Sequence, residues 1–354
     1  MILNGGYVHG GDIYKHRVTL DFSANVNPLG TPEAVKAAIR ASADAVAVYP
    51  DPYCTKLREK LAAKHGVSAS DIVCGNGAAE LIYQFAAAIC VRTALLPVPS
   101  FADYETALFA AGAKPVFWTL KRENGFALAE DVLDAITEDT GVLMLANPNN
   151  PTGKCVPKDL LKKILDRCRK TGTWLFVDEC FEDLTDEDKA FSLCGAPEET
   201  DRVFLLRAFT KTYGMAGVRL GYAITRHAAL KQALEACSQP WNVSTVAQNA
   251  GLAALNCPDW AQKTRALIRT EKAYLLEELT ALGVPVLSGD ANFLLLSGVP
   301  DLYEKLLARG ILVRDCSNYR GLEKSDCRIA VRTHEENRTL IEAIREVLHA
   351  SDRH

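Results

Sequence analysis

The sequence predicts an α/β protein, with a large domain on a mainly parallel sheet flanked by helices and a smaller α+β domain at the C-terminal end. Three observations predict it. Short apolar runs alternate with helix-length amphipathic segments through most of the chain, the pattern of strand–helix–strand units. Polar and glycine-rich punctuation falls just after the apolar runs, at the end of a parallel sheet where ligands collect. From about Leu252 the texture changes to one long charged amphipathic segment and then short strands.

In chain order, residues 1–30 carry the turns His9-Gly-Gly and Asn27-Pro-Leu-Gly30 and read as an arm. A large domain follows over 31–245. Its helices are expected at Ala78–Ile89, Tyr104–Ala111 and Lys158–Lys170. Its strands are expected at Ala94–Leu96, Gly141–Ala146, Thr173–Val177 and Val203–Arg207. The smaller domain, 246–354, begins with the amphipathic helix Trp260–Leu282. Strands near Phe293–Leu296, Ile311–Val313 and Cys327–Val331 and helices at Asp301–Ala308 and Glu335–Leu348 complete it.

Composition narrows the class. The 354 residues are 48% hydrophobic and 24% charged, as in an ordinary soluble globular protein. A net charge of −4 gives no electrostatic reason to expect nucleic acid or an anionic membrane as partner. The eleven cysteines are scattered, with no CxxC pair and no Cys/His cluster, which argues against a disulfide framework or a zinc site and suits a reducing cytosol. The start has neither the basic nor the apolar stretch of a signal peptide. The apolar run Leu81–Val91 is broken by Gln84 and too short to span a bilayer. A cytoplasmic protein without a metal is expected.

Four segments carry chemistry. Lys211 closes an apolar strand and precedes Thr-Tyr-Gly, with Arg219 eight residues on. A lysine amine forms an imine with a carbonyl cofactor when its surroundings lower its pKa, although a lone lysine is more often a solvated surface cation. Asp178 ends the run Thr173–Val177, a carboxylate at a strand terminus that suits a protonated ring nitrogen or, equally, a helix cap. Asn147-Pro-Asn-Asn-Pro-Thr-Gly153 is a loop fixed by two prolines, from which Asn150 can donate to a ring oxygen. Gly75-Asn-Gly-Ala-Ala-Glu80 opens a helix whose small residues let backbone amides face a phosphate. It lacks the third glycine of a dinucleotide fingerprint, so a Rossmann reading is rejected.

Together these segments resemble the fold-type I pyridoxal-phosphate (PLP) enzymes of the aspartate aminotransferase superfamily, over essentially the whole chain. The resemblance implies that Lys211 carries PLP as an imine, Asp178 pairs with the ring nitrogen and Asn150 contacts the 3-oxygen. It also implies that Arg219, Thr210 and the backbone of Gly77, Ala78 and Ala79 hold the phosphate and that Phe101 stacks on the ring. Tyr49 would reach the phosphate of a neighbouring subunit, which implies a homodimer. Two positions depart from the family pattern. Phe181 stands where many members have a tyrosine, and Ala208 where many have a serine that bonds the phosphate.

Within the superfamily the chain is similar to the histidinol-phosphate aminotransferase branch, and more so to the threonine-phosphate decarboxylases of cobalamin biosynthesis. The closer likeness lies in His9-Gly-Gly, Asp21-Phe-Ser-Ala-Asn-Val-Asn-Pro-Leu-Gly30, Pro240-Trp-Asn-Val, Ile311 to Leu322 and Arg328-Ile-Ala-Val-Arg332. It implies decarboxylation of L-threonine O-3-phosphate, with Arg314 and Arg328 on the substrate's anionic groups and His9 and Asn27 as further contacts. Guanidinium forks suit carboxylate and phosphate, which agrees with such a substrate. The alternatives are a histidinol-phosphate or related aminotransferase and a phosphoserine decarboxylase.

Overall fold

A computed structural model describes residues 9–351 apart from Ala190. Strands are numbered here in chain order. After the two-residue strand β1 (Leu20–Asp21), a seven-stranded sheet runs in the order β2 (Ile72–Gly75), β8 (Gly221–Ile224), β7 (Val203–Ala208), β6 (Trp174–Asp178), β5 (Val142–Ala146), β3 (Thr93–Val98) and β4 (Lys114–Thr119). Pairing is parallel from β7 to β4, while β8 runs antiparallel to both of its neighbours.

The central strands are mostly apolar because both faces are covered, with Asp178 at the end of β6 and Arg207 near the end of β7 as the charged exceptions. Along β5, Leu143 and Leu145 pack on one side with Leu161 and Ile164 of the helix Lys158–Thr171. Val142 and Met144 pack on the other side with Leu81 and Phe85 of the helix Ala78–Ile89. This is the period-two alternation of a strand buried twice over. The helix Ala78–Ile89 has the bounds its sequence predicts. Strand β4, which the apolar pattern does not announce, is an edge strand with Lys114, Val116 and Thr119 exposed.

The smaller unit is a four-stranded antiparallel sheet in the order β12 (Arg314–Asp315), β13 (Cys327–Ala330), β10 (Phe293–Leu296) and β9 (Val286–Ser288). It is packed against the helices Asp259–Ala281 and His334–Ser351. The strand expected over 311–313 ends at Leu312, and a second short strand follows it. Ile311–Leu312 (β11) pairs in parallel with β1, whereas Arg314 and Asp315 pair with β13. Of the arm expected over residues 1–30, residues 1–8 lie outside the described ones. Phe22 packs into the core of the smaller unit with Leu294, Ile329 and Ile344. Among the described residues no helix is long and apolar enough to cross a membrane.

Register sets the working edge of the large sheet. Ala146 lies opposite Asp178, and Asp178 opposite Leu206. The loop after β5, the end of β6 and the turn after β7 therefore emerge side by side.

Candidate active site

A cleft of about 510 Å³ opens at that edge, lined by residues of the large sheet, the smaller unit and the N-terminal segment. Of the residues singled out by sequence, Lys211, Asp178, Asn150, Arg219, Thr210, Phe101, Ala78, Ala79, Arg314, Arg328 and His9 all line it.

Lys211 sits on the single helical turn Phe209–Thr212 that follows β7. Burial, then the nearby Arg328 cation, pushes its amine down to about 8, against the upward pull of Cys180 and Asp178. Its Nζ lies 5.4 Å from the ring centroid of Phe181, which packs edge-on against Phe293. Phe181, one of the two departures from the pattern the sequence resembles, is thus an apolar wall beside the lysine.

Asp178 is held from two sides. Its Oδ2 accepts a 2.6 Å hydrogen bond from Tyr104 Oη, and its Oδ1 accepts one of 2.9 Å from Cys180 N. Burial, with the Asp178 charge beside it, pushes the Tyr104 phenol well above its usual range, so the phenol stays a neutral donor.

The helix Ala78–Ile89 starts at the cleft, and no side chain caps its N-terminus. Gly77 precedes it at φ 84°, and a Cβ there would stand 2.5 Å from Arg219 Nη2. Only glycine permits both that backbone and the approach of the guanidinium. Arg219 itself takes φ 60°, an uncommon conformation for a residue with a side chain, on the way into β8. Open first-turn amides, the positive end of a helix and a guanidinium converge here, a cradle for a phosphate group. Thr210, 8% exposed, supplies a hydroxyl to the cleft, while Ala208 supplies none.

Across the cleft, Arg314 and Arg328 stand directly opposite each other on β12 and β13. Arg314 donates to Asn318 Oδ1 at 2.8 Å and to the Asp315 carbonyl, with its guanidinium 5.0 Å from the Tyr319 ring centroid. Arg328 is 5% exposed. It donates to Asn150 Oδ1 and, at 2.8 Å, to the Ser23 carbonyl. With its amide oxygen turned toward the arginine, Asn25 accepts from Nε at 3.2 Å and from Nη1 at 3.3 Å. Among the described residues no carboxylate pairs with Arg328, so a buried cation faces only neutral acceptors.

Two sequence-predicted residues lie elsewhere. Asn27 is buried outside the cleft, its amide donating to the Thr212 carbonyl at 2.6 Å and to Thr264 Oγ1 at 2.7 Å. It ties the turn that carries Lys211 to the long helix Asp259–Ala281. Tyr49 is 75% exposed and stacks on Trp241 with ring centroids 4.5 Å apart. Sequence reasoning also passed over residues that the fold brings in: Tyr104, Asp103, Asn25 and Tyr319. The signal for Tyr104 was its place one helical turn after Phe101. For Asn25 it was the pair of asparagines in Ser-Ala-Asn-Val-Asn, of which the other was chosen.

The cleft fits the cofactor that the sequence resemblance implies. It holds a phosphate cradle that a Cβ would fill, a buried lysine with a lowered pKa and a twice-anchored carboxylate. Asn150, its oxygen engaged by Arg328, has its NH₂ as the donor for a ring oxygen.

Comparison with known proteins agrees. A family model described as aminotransferase class I and II matches residues 17–344. The chain is 37% identical to a threonine-phosphate decarboxylase of Salmonella typhimurium, with 96% of each chain covered. It is 34% identical to a histidinol-phosphate aminotransferase of Methanosarcina mazei, covering 93% of this chain and 88% of the other. The crystal structure of a histidinol-phosphate aminotransferase from Clostridium acetobutylicum superposes with a TM-score of 0.86 at 29% identity, over 94% of this chain and 99% of that one.

Proposed function

The chain belongs to the aminotransferase class I and II family, and on that premise we propose that it is a PLP-dependent decarboxylase of L-threonine O-3-phosphate, releasing CO₂ and (R)-1-aminopropan-2-yl phosphate. The observation that carries this reading is the buried Arg328 guanidinium, without a carboxylate partner among the described residues and in register with Arg314 beside Lys211. A substrate with both a carboxylate and a phosphate presents one anionic group to each of the two guanidiniums.

PLP, when bound, supplies a conjugated ring that accepts the electron pair left when a bond at the substrate's Cα breaks. The residues that would hold it are Lys211 covalently, Asp178 at the ring nitrogen, Asn150 at the ring oxygen and Phe101 on the ring face. Arg219 and Thr210, with the backbone of Gly77, Ala78 and Ala79, would hold its phosphate. Arg314 and His9 bind the substrate's phosphate and Arg328 its carboxylate, which orients the Cα–carboxylate bond. That bond would break as CO₂ leaves, and Lys211 Nζ, released when the substrate's amine takes its place, would return a proton to Cα. Phe181 and Phe293 keep water from the lysine side of the cleft. Two copies complete the site, with Tyr49 of each reaching its partner.

A second reading, histidinol-phosphate aminotransferase, is favoured by the likeness to such enzymes at 34% identity. One experiment separates the readings. PLP-loaded protein is incubated with phosphothreonine, with phosphoserine, and with histidinol phosphate plus 2-oxoglutarate, following CO₂ and glutamate. CO₂ from phosphothreonine is expected. Glutamate from histidinol phosphate without CO₂ from phosphothreonine overturns the decarboxylase reading.

A further inference from the structure

Among the described residues two aspartates line the cleft, Asp178 and Asp103. The chemistry above uses only the first. Asp103 lies in the first turn of the helix Ala102–Ala110 and is 5% exposed. A buried carboxylate in a cleft that takes anions is unfavourable, through its own desolvation, unless a polar partner stands against it. His9 stands there, with Nε2 3.2 Å from Asp103 Oδ1 and its ring 5.8 Å from that of Phe101.

From His9 the chain leads straight to the substrate arginine. A Cβ on Gly10 would meet the Ser23 carbonyl oxygen at 2.2 Å, so the turn lies flush on that residue. Gly11 N donates to Ser23 Oγ at 2.7 Å, and the Ser23 carbonyl accepts from Arg328 Nη2 at 2.8 Å. Asp103, His9, Gly10, Ser23 and Arg328 therefore form one continuous line from the large unit across the cleft to the smaller one.

We propose that Asp103 is a positioning residue for substrate specificity: it pins His9, and with it the Gly10–Gly11 turn, as the cleft wall that meets the substrate's phosphate. The specificity half of this inference rests on the phosphorylated-substrate reading above. The pin itself does not.

The test therefore has two arms, run on the PLP-loaded full-length protein and on the variants D103A, D103N, H9A and D103A/H9A. In hydrogen exchange, D103A and H9A should each speed exchange of the Gly11 amide and D103N should do so less. Unchanged protection in both alanine variants overturns the pin, whatever the substrate. In kinetics, D103A should raise KM for phosphothreonine about tenfold, the scale of one charge-assisted contact, with a smaller fall in kcat. The loss on phosphothreonine should exceed the loss on threonine, and the double variant should be no worse than H9A, because the two residues act as one unit. Additive losses, or equal losses on both substrates, overturn the specificity role. Wild-type protein that releases no CO₂ from phosphothreonine instead sinks the decarboxylase reading, and the exchange arm still decides the pin.

Discussion

Tyr104 and Asp178, 74 residues apart in the chain, meet at 2.6 Å, the phenol of one donating to the carboxylate that ends β6 in the other. The contact joins the helix Ala102–Ala110 to the sheet edge and fixes the carboxylate's direction into the cleft. Tyr104 is fully buried, so the hydrogen bond has no competitor in water.

Tyr104→Phe should therefore leave Asp178 Oδ2 without its donor. The expected result is about 1–3 kcal/mol of lost stability and a PLP affinity lower by about tenfold. Thermal melts and PLP titration of the apoprotein check it. A variant with wild-type affinity for PLP would show that the backbone amide of Cys180 alone suffices to orient Asp178.

Lys211 sets a pH signature. Its pKa is lowered to about 8, so the neutral amine, the form that attacks an aldehyde, prevails above that pH and the ammonium below it. Covalent uptake of PLP by the apoprotein should quicken roughly tenfold per pH unit below about 8 and level off above it, whereas an unperturbed lysine would keep gaining toward about 10.4. Borohydride should fix the cofactor's mass on Lys211, and Lys211→Ala should bind PLP only reversibly and lose turnover. A rate still climbing through pH 10 contradicts the buried environment described here.

Arg328 and Arg314 should differ when removed. Arg328→Ala deletes a buried cation that also holds Asn150 and Ser23, and should lower kcat/KM on phosphothreonine by about 2–5 kcal/mol. Arg328→Lys should rescue little, because an ammonium cannot reproduce the planar fork. Arg314→Ala should fall selectively, losing far more on phosphothreonine than on threonine. Equal effects of Arg314→Ala on both substrates would remove Arg314 from the phosphate site.

Assembly is tested at the surface around Tyr49. Val46, Val48, Tyr49 and Tyr53 are each more than 60% exposed, and Trp241 is 45% exposed. A homodimer is the expected state in solution, and Tyr49→Glu with Val48→Glu should shift it toward monomer with loss of turnover. Sedimentation velocity at micromolar concentration checks this. A wild-type monomer with full activity would refute the composite site.

The sequence by itself determined the strand–helix alternation, the central strands and the residues with special chemistry at their ends, because those features are local. Period-two and helical patterns are set by which faces are buried, and Gly77, Asp178, Asn150 and Lys211 sit at offsets from strand ends that the chain itself dictates. What only the tertiary structure decided depends on register and on contacts between distant segments. The pairing of β12 with β13 sets Arg314 opposite Arg328, which their spacing in the chain does not show. The strand expected over 311–313 pairs with β1 only to Leu312, and the next two residues form β12 against β13, a change of partner that the apolar run does not show. Between the two asparagines of Ser-Ala-Asn-Val-Asn, the sequence favoured Asn27, which the fold uses to tie the Lys211 turn to the long helix. The fold turns Asn25 toward Arg328 instead, because which side chain faces the cleft depends on where the segment lies against the smaller unit. In the sequence Tyr104 opens the expected helix and Asp103 stands just before it, whereas the helix begins at Ala102 and takes in both. They become site residues only because that helix starts beside β6 and under His9.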